Sequence, residues 1–396
     1  MLRLCAFAAV LAATPAMAKD IAVEAGPDAQ ERLQSALLDA KPGDTVRIGA
    51  GRFELTDGLS LDVNGVTVRG AGPEKTVLSF KGQLGAGEGL LVTSDDVVLR
   101  DFAVEDSKGD GIKSKGADRI VYKNIRVEWT GGPKATNGAY GVYPVESSDI
   151  LIDGVTVSGA SDAGIYVGQS NRIIVRNSTA KYNVAGIEIE NSGHAVVTNN
   201  LATHNTGGIL VFDLPALPRR GEGYVVVERN HVIDNDTPNF APPGNTVATV
   251  PTGTGVLVMA ENNVRVVDND LSGNGTANIM VVAYRQPFED KSYDPLPREI
   301  EIGANKHGRA GFAPAMPGGK ELAQALGGTL PPIFWDGTGG AEVRLSGSDT
   351  APVLTLNLAL GAGIETAKPQ MLQLKPGAPL IWPQFTLPSA MYAAAK

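Results

Sequence analysis

Between Asp162 and Asn205 the chain states one 22-residue unit twice in succession: D-A-G-I-Y-V-G-Q-S-N-R-I-I-V-R-N-S-T-A-K-Y-N, then V-A-G-I-E-I-E-N-S-G-H-A-V-V-T-N-N-L-A-T-H-N. Gly164 matches Gly186, Asn177 matches Asn199, and Asn183 matches Asn205. Each unit holds two short runs of alternating apolar and polar residues, such as Ile165-Tyr166-Val167 and Ile173-Ile174-Val175, parted by small and polar turn residues. This is the periodicity of strands and not of helices. A period of 22 is too short for a globular domain and too long for a hairpin, but it suits one three-sided coil of a β-solenoid.

The same coil opening recurs at Gly89, Gly111, Gly141, Gly164, Gly186, Gly208 and Gly255, with spacings of 22, 30, 23, 22, 22 and 47. The long intervals hold insertions: Gly131 to Gly138, Leu214 to Gly223 and Pro238 to Gly253. Insertions in a solenoid project outward, and loops on a rigid scaffold commonly carry function. Asp28 to Ala40 places Leu33, Ala36, Leu37 and Ala40 on one helical face and ends before Pro42-Gly43, which predicts a short helix covering the open end of the first coil. Asn124, Asn177, Asn199, Asn230 and Asn269 are read as one stacked row of side-chain amides. The expected architecture is therefore all-β, a single-stranded parallel β-helix of about nine to eleven coils over 19–302 with an N-terminal cap. Residues 303–396 are read as an irregular C-terminal cover on the helix end, containing a short helical stretch K-E-L-A-Q-A-L.

Residues 1–18 combine the basic Arg3, an apolar run and Ala16-Met17-Ala18, which predicts a signal peptide cleaved after Ala18 and a periplasmic or secreted protein. The apolar run is too short for a permanent transmembrane segment. The one cysteine, Cys5, leaves with it, so neither a disulfide framework nor thiol chemistry is expected. The formal charge of −9 drops by one more when Arg3 leaves, which argues against nucleic acid and anionic membrane as partners.

The repeat G-I-x-V-x-x-S-x-x-x-x-V-x-N-x-x-x-x-x-N resembles the right-handed parallel β-helix repeat of the pectin-lyase-like superfamily, of the carbohydrate-binding and sugar-hydrolysis type also found in periplasmic NosD proteins. The resemblance covers about Ile21 to Tyr284 and includes the opening helix followed by P-G-D-T-V-R-I and G-R-F. It implies the fold, and it leaves function open among lyases, hydrolases, epimerases and non-catalytic envelope binding or assembly proteins. The D-P-H-D motif of the alginate epimerases is absent, so no catalytic residue carries over.

Alternation along each G-I-x-V-x strand sends Ile112, Val142, Ile165, Ile187, Ile209 and Val256 inward. Two outward rows follow: Leu91, Lys113, Tyr143, Tyr166, Glu188, Leu210, Leu257, and Thr93, Lys115, Val145, Gly168, Glu190, Phe212, Met259. With coils about 4.8 Å apart, Lys113 and Glu188 stand about 14 Å apart, the length of a few sugar rings. On this face Lys113 and Lys115 could neutralise a uronate and Tyr143 or Tyr166 could act as base or acid. Glu188 and Glu190 form a same-face carboxylate pair of the kind glycoside hydrolases use. Phe212, Arg219 and Arg220 would flank the glycan, and Gly168 would leave a dip at the centre. The plainer alternative is an ordinary solvated sheet face.

The expected partner is a polysaccharide, foremost an acidic one processed by a lyase or epimerase, with a glycoside hydrolase second. A non-catalytic protein that binds another envelope component is the alternative. No metal site is assigned. Ca²⁺ is left open only by Asp106 and Asp110, which are too few ligands alone. His194, His204 and His231 share no coil position.

Overall fold

The structure, a computed structural model, describes residues 18–220, 222–377 and 381–396. The signal-peptide reading of 1–18 lies outside the described residues except for Ala18. No helix among the described residues is long and apolar enough to cross a membrane.

The strands stack into three sheets of twelve, twelve and ten strands, and every pairing but one is parallel. One coil consists of Asn171–Arg176 on a back sheet, Thr179–Lys181 on a narrow third sheet and Ala185–Glu190 on a front sheet. The next coil repeats this with Gly193–Thr198, Leu201–Thr203 and Gly207–Phe212. Ala163 pairs with Ala185 and Ile165 with Ile187, so Gly164 stacks on Gly186 as the 22-residue repeat requires. A Cβ on Gly164 would stand 2.7 Å from Asn183 Nδ2 and 2.9 Å from the Gly186 carbonyl, which is why the coil opens on glycine.

Ile165, Ile187 and Ile209 are fully buried and form one inward row. Val175, Val197 and Val227 do the same from the back sheet. Helix Ala29–Asp39 closes the first coil with Leu33 and Leu37 buried in the core.

The expected asparagine row holds at Asn230 and Asn269, and its other three members need correction. Asn124, Asn177 and Asn199 are left-handed turn residues with φ of 50°, 52° and 55°. Asn124 and Asn177 turn their amides to Asp101 and Asp153. In these three coils the ladder position is one residue further on, the position that Asn230 and Asn269 already occupy. Asn200 donates to Asn230, Asn230 to Asn269 and Asn269 to Asn305, each amide at 3.0 Å. A second ladder, Asn183–Asn205–Asn235–Asn274, runs down the corner beside the front sheet. Buried amides in register satisfy one another from coil to coil, which lets a polar column run beside an aliphatic core.

Strands continue past residue 302. Ile333–Trp335 pairs in parallel on Ala277–Val282, and Val353–Thr355 pairs on Ile333–Trp335. Gln370–Leu372 then lies antiparallel on that last strand and covers its edge. The short helix forms at Gly319–Ala325. The tail does not stop at the last coils. It runs back along the outer face of the back sheet, where Leu387 and Met391 pack on Val121 and Leu151, and Arg100 donates to the Ala394 carbonyl at 2.6 Å.

Candidate functional site

The outward rows of the front sheet have the register the repeat predicts. Lys113 pairs with Leu91 and Tyr143, Tyr166 with Glu188, Glu188 with Leu210, and Leu210 with Leu257. In the parallel row Gly168 pairs with Glu190, Glu190 with Phe212 and Phe212 with Met259.

This face is not a flat solvated sheet. Tyr166 is 3% exposed, Glu188 1%, Glu190 9% and Phe212 0%. The insertion around residues 238–253 folds down over the sheet and causes that burial. Asn239 donates to the carbonyls of Val247 and Val250, which fixes the loop's own shape. Asn245 reaches down to donate to Asp162 Oδ2 at 2.9 Å. Beneath the loop lies a polar cavity of about 260 Å³ lined by Tyr140, Asp162, Glu188, Glu190, Asn245 and Val247. Tyr166 donates its hydroxyl to Glu190 Oε1 at 2.6 Å, and Tyr140, Tyr143 and Tyr166 pack with ring centroids 4.4 to 4.9 Å apart. Glu188 Oε2 is buried without a hydrogen-bond partner.

Three carboxyl groups buried side by side resist ionising together, because each charge disfavours the next. Burial, and then the neighbouring Asp162 and Glu190, push Glu188 well above the usual carboxylate range. Burial, and then Glu190, raise Asp162 to about 7, against the hydrogen bond from Asn245. Glu190 is raised by burial too, opposed by its hydrogen bonds with Tyr166 and Glu188. Burial lifts the Tyr143 phenol to about 12 and moves Tyr140 and Tyr166 higher still. The tyrosines therefore keep their protons, Tyr166 as a donor to Glu190, which disfavours the base role expected for Tyr143 and Tyr166.

A stability prediction follows from the same shifts. Asp162, raised to about 7, and Asp110, raised to about 6 chiefly by burial, hold protons that the unfolded chain releases near pH ~4. Between those limits the folded state binds more protons than the unfolded state, so these groups make stability fall as pH rises from about 4 to about 7. Denaturant midpoints measured across that range should show a shallower fall in Asp162→Asn than in the wild type, and parallel curves would contradict the assignment.

The cations sit differently from expectation. Lys113 Nζ lies 3.1 Å from Glu88 and 3.8 Å from Asp110, with the Tyr143 ring centroid at 4.9 Å, so its charge is already matched by two carboxylates. Lys115 is exposed and pairs with Glu146 at 3.5 Å. Arg219 pairs with Glu222 at 2.7 Å, while Arg220 pairs with Asp290 and stacks on Tyr293. Neither arginine lines the cavity at the acid cluster. Gly168 leaves no dip, because the Tyr166 ring lies over it, 2.4 Å from where a Cβ would stand. Asp106 accepts from Thr130, and Asp110 accepts from the Tyr140 amide. Among the described residues no three His, Cys, Asp or Glu side chains converge to hold a metal ion.

Asp162 and Tyr140 were not singled out from the sequence, although a signal existed. One residue before the paired row Ala163, Ala185, Gly207 and Thr254, Asp162 is the charged member of a position that otherwise reads Val184, Thr206 and Gly253.

Past Phe212 the face turns apolar. A second cleft of about 440 Å³ is lined there by Leu257, Met259, Met280, Phe334, Leu356 and Leu358, with Thr249 to Pro251 of the same covering loop as one wall.

The family model described as "Right handed beta helix region" matches residues 63–213 and 135–289. No curated protein sequence matches the chain. Among solved structures, the A-module of the mannuronan C-5 epimerase AlgE6 from Azotobacter vinelandii is similar at 16% identity, over 86% of this chain and 88% of that one, with a TM-score of 0.59. The A-module of AlgE4 from the same organism is similar at 14% identity, over 84% and 94%, with a TM-score of 0.57. At such identities the likeness is one of fold.

Proposed function

The chain belongs to the right-handed β-helix family with the pectin-lyase-like fold, and on that scaffold we propose that it binds a polysaccharide along the front sheet and cleaves a glycosidic bond by acid–base catalysis. The observation that carries this reading is the buried trio Asp162, Glu188 and Glu190 around a polar cavity, with one Glu188 oxygen unpartnered and burial favouring its protonated form. Burying three acids in one site costs stability, and perturbed acids in a cleft are what proton transfer requires.

In this scheme Glu188 gives its proton to the glycosidic oxygen as the bond from that oxygen to the anomeric carbon breaks, the electron pair staying on oxygen. Water adds to the anomeric carbon and its proton passes to Asp162, whose pKa of about 7 suits a group that must accept and release it. Glu190, fixed by Tyr166, faces the developing positive charge. Because Lys113 is already matched by Glu88 and Asp110, a uronate carboxylate has no free cation at the cluster, which favours an uncharged sugar there.

A second reading, elimination or epimerisation of a uronate, is favoured by the adjacency of Lys113 and Tyr143 on one row. The test is a screen of the protein against neutral glucans, mannans and xylans and against uronic-acid polymers, following new reducing ends and ultraviolet absorbance in parallel. Reducing ends from a neutral glycan are expected. Absorbance from an unsaturated uronate would overturn the hydrolytic reading in favour of the second. Binding without turnover of any polymer would mark the protein as a non-catalytic glycan binder.

A further inference from the structure

The acid cavity has two different ends. Toward the C-terminus, the next strand of the front sheet sets Leu210 in register with Glu188 and Phe212 in register with Glu190. Both are fully buried, in one packed cluster with Val247 and Val250 of the covering loop. A Cβ on Gly207, in the same strand, would stand 3.0 Å from Leu210 Cδ2 and 3.1 Å from Val250 Cγ1. Side chains packed this closely leave no gap for a sugar ring.

The loop is fixed to that same coil at both of its ends. Thr206 donates its hydroxyl to the Thr237 carbonyl at 2.9 Å, and its own carbonyl accepts the Gly253 amide at 3.0 Å. From there the loop reaches back over two coils, about 10 Å, to set Asn245 on Asp162. It roofs the cavity and closes its C-terminal end. Toward the N-terminus the lining residue is Tyr140, which is half-buried, as is Tyr143 on the Lys113 row. Further on, Lys113 is half-buried and Lys115 exposed. A tyrosine offers both a ring face and a hydroxyl, which suits a sugar in a way that the aliphatic block at the other end does not. The cavity, at about 260 Å³, falls below the roughly 300–1,000 Å³ of pockets for drug-sized ligands, a space for one pyranose ring and not for two.

We infer that the protein acts on the ends of its glycan. The terminal sugar of the non-reducing end fills the cavity against the block of Leu210, Phe212, Val247 and Val250, and the rest of the glycan runs out over Tyr140 and Tyr143 toward the N-terminal coils. This inference rests on the hydrolytic reading of Asp162, Glu188 and Glu190 and adds to it which bond is cut. The ring inside is the one whose anomeric carbon faces those acids, so the terminal bond breaks. The Glu188 proton goes to the oxygen of the departing chain, the hydroxyl of water to the anomeric carbon and the remaining water proton to Asp162. One monosaccharide is released per turnover.

The experiment gives the full chain cellohexaose, mannohexaose and xylohexaose, each labelled with a fluorophore at the reducing end, with or without a benzyl ether at the non-reducing end. From the uncapped substrate the labelled pentasaccharide should appear first, matched mole for mole by free monosaccharide. The capped form should turn over about 100-fold more slowly, the loss expected when a reacting bond is held even ~1 Å out of place. Labelled di- and trisaccharides at the outset, with the cap without effect, would overturn the inference and leave the hydrolytic reading standing. Absence of new reducing ends from all three would count against the hydrolytic reading itself, and so against this inference. Val247→Gly combined with Val250→Gly thins the block and should let internal products appear. A folded double variant that still releases only monosaccharide would overturn the assignment of that wall. The comparison of capped and uncapped substrate in the wild type decides the end-on inference whether or not the variant folds.

Discussion

Glu188→Gln is expected to lower turnover on the order of 10²–10⁴-fold, the contribution of a positioned proton donor. Glutamine keeps the size and the hydrogen-bonding shape of the side chain but has no proton to give. Glycan affinity should change little, because the substitution removes an interaction that matters in the transition state rather than in the bound ground state. The fold should not suffer either. Glu188 is buried with Oε2 unpartnered and is coupled to Asp162 and Glu190, so a neutral amide relieves a repulsion that strengthens as pH rises. A variant with wild-type melting behaviour at neutral pH and little activity would separate catalysis from stability. Full activity in Glu188→Gln would remove Glu188 from the mechanism.

Ile187→Ala should cost about 2–5 kcal/mol of stability, the range for a large-to-small change in a packed core. Ile187 is fully buried, paired with Ile165 on one side and Ile209 on the other, midway along the front sheet. In a solenoid each coil is held mainly by its two neighbours, so a cavity there weakens both of its interfaces. Lys181, which lies on the outer side of the third sheet, supplies the contrast: Lys181→Ala should fall within about 0.5 kcal/mol of the wild type. Urea midpoints compare the two directly. Equal midpoints for Ile187→Ala and the wild type would mean that the inward row has been misplaced.

How much of this was legible in the sequence follows from what periodicity can encode. A repeat of 22 residues fixes which residue stacks on which, so the inward isoleucines and both outward rows carry the expected register. Periodicity is silent about where an aperiodic insertion lands. Nothing in Pro238 to Gly253 says that Asn245 will reach Asp162, yet that contact turns an outward carboxylate pair into a buried one. The cations fail for a related reason. The partners of Lys113 lie in other coils or turns and those of Arg220 are far along the chain, and an ion pair leaves no periodic trace. Asn230 and Asn269 were placed correctly, but Asn199 misled by one residue because the N-N pair at Asn199-Asn200 puts a left-handed turn residue beside the buried ladder residue, and both positions favour the same side chain.

The central claim is that the acid cluster beneath the 238–253 loop holds a proton at neutral pH for delivery to a glycan. The measurement that tests it most directly is the infrared carbonyl stretch of protonated carboxylic acids, recorded against pH in the wild type, Asp162→Asn and Glu188→Gln. The account predicts a protonated-carboxyl band that persists at neutral pH, with a component lost as pH rises through about 7 that is missing in Asp162→Asn, and a further component missing in Glu188→Gln. A wild-type spectrum with every carboxyl ionised by pH ~5, the upper end of the ordinary range for Asp and Glu, would contradict it.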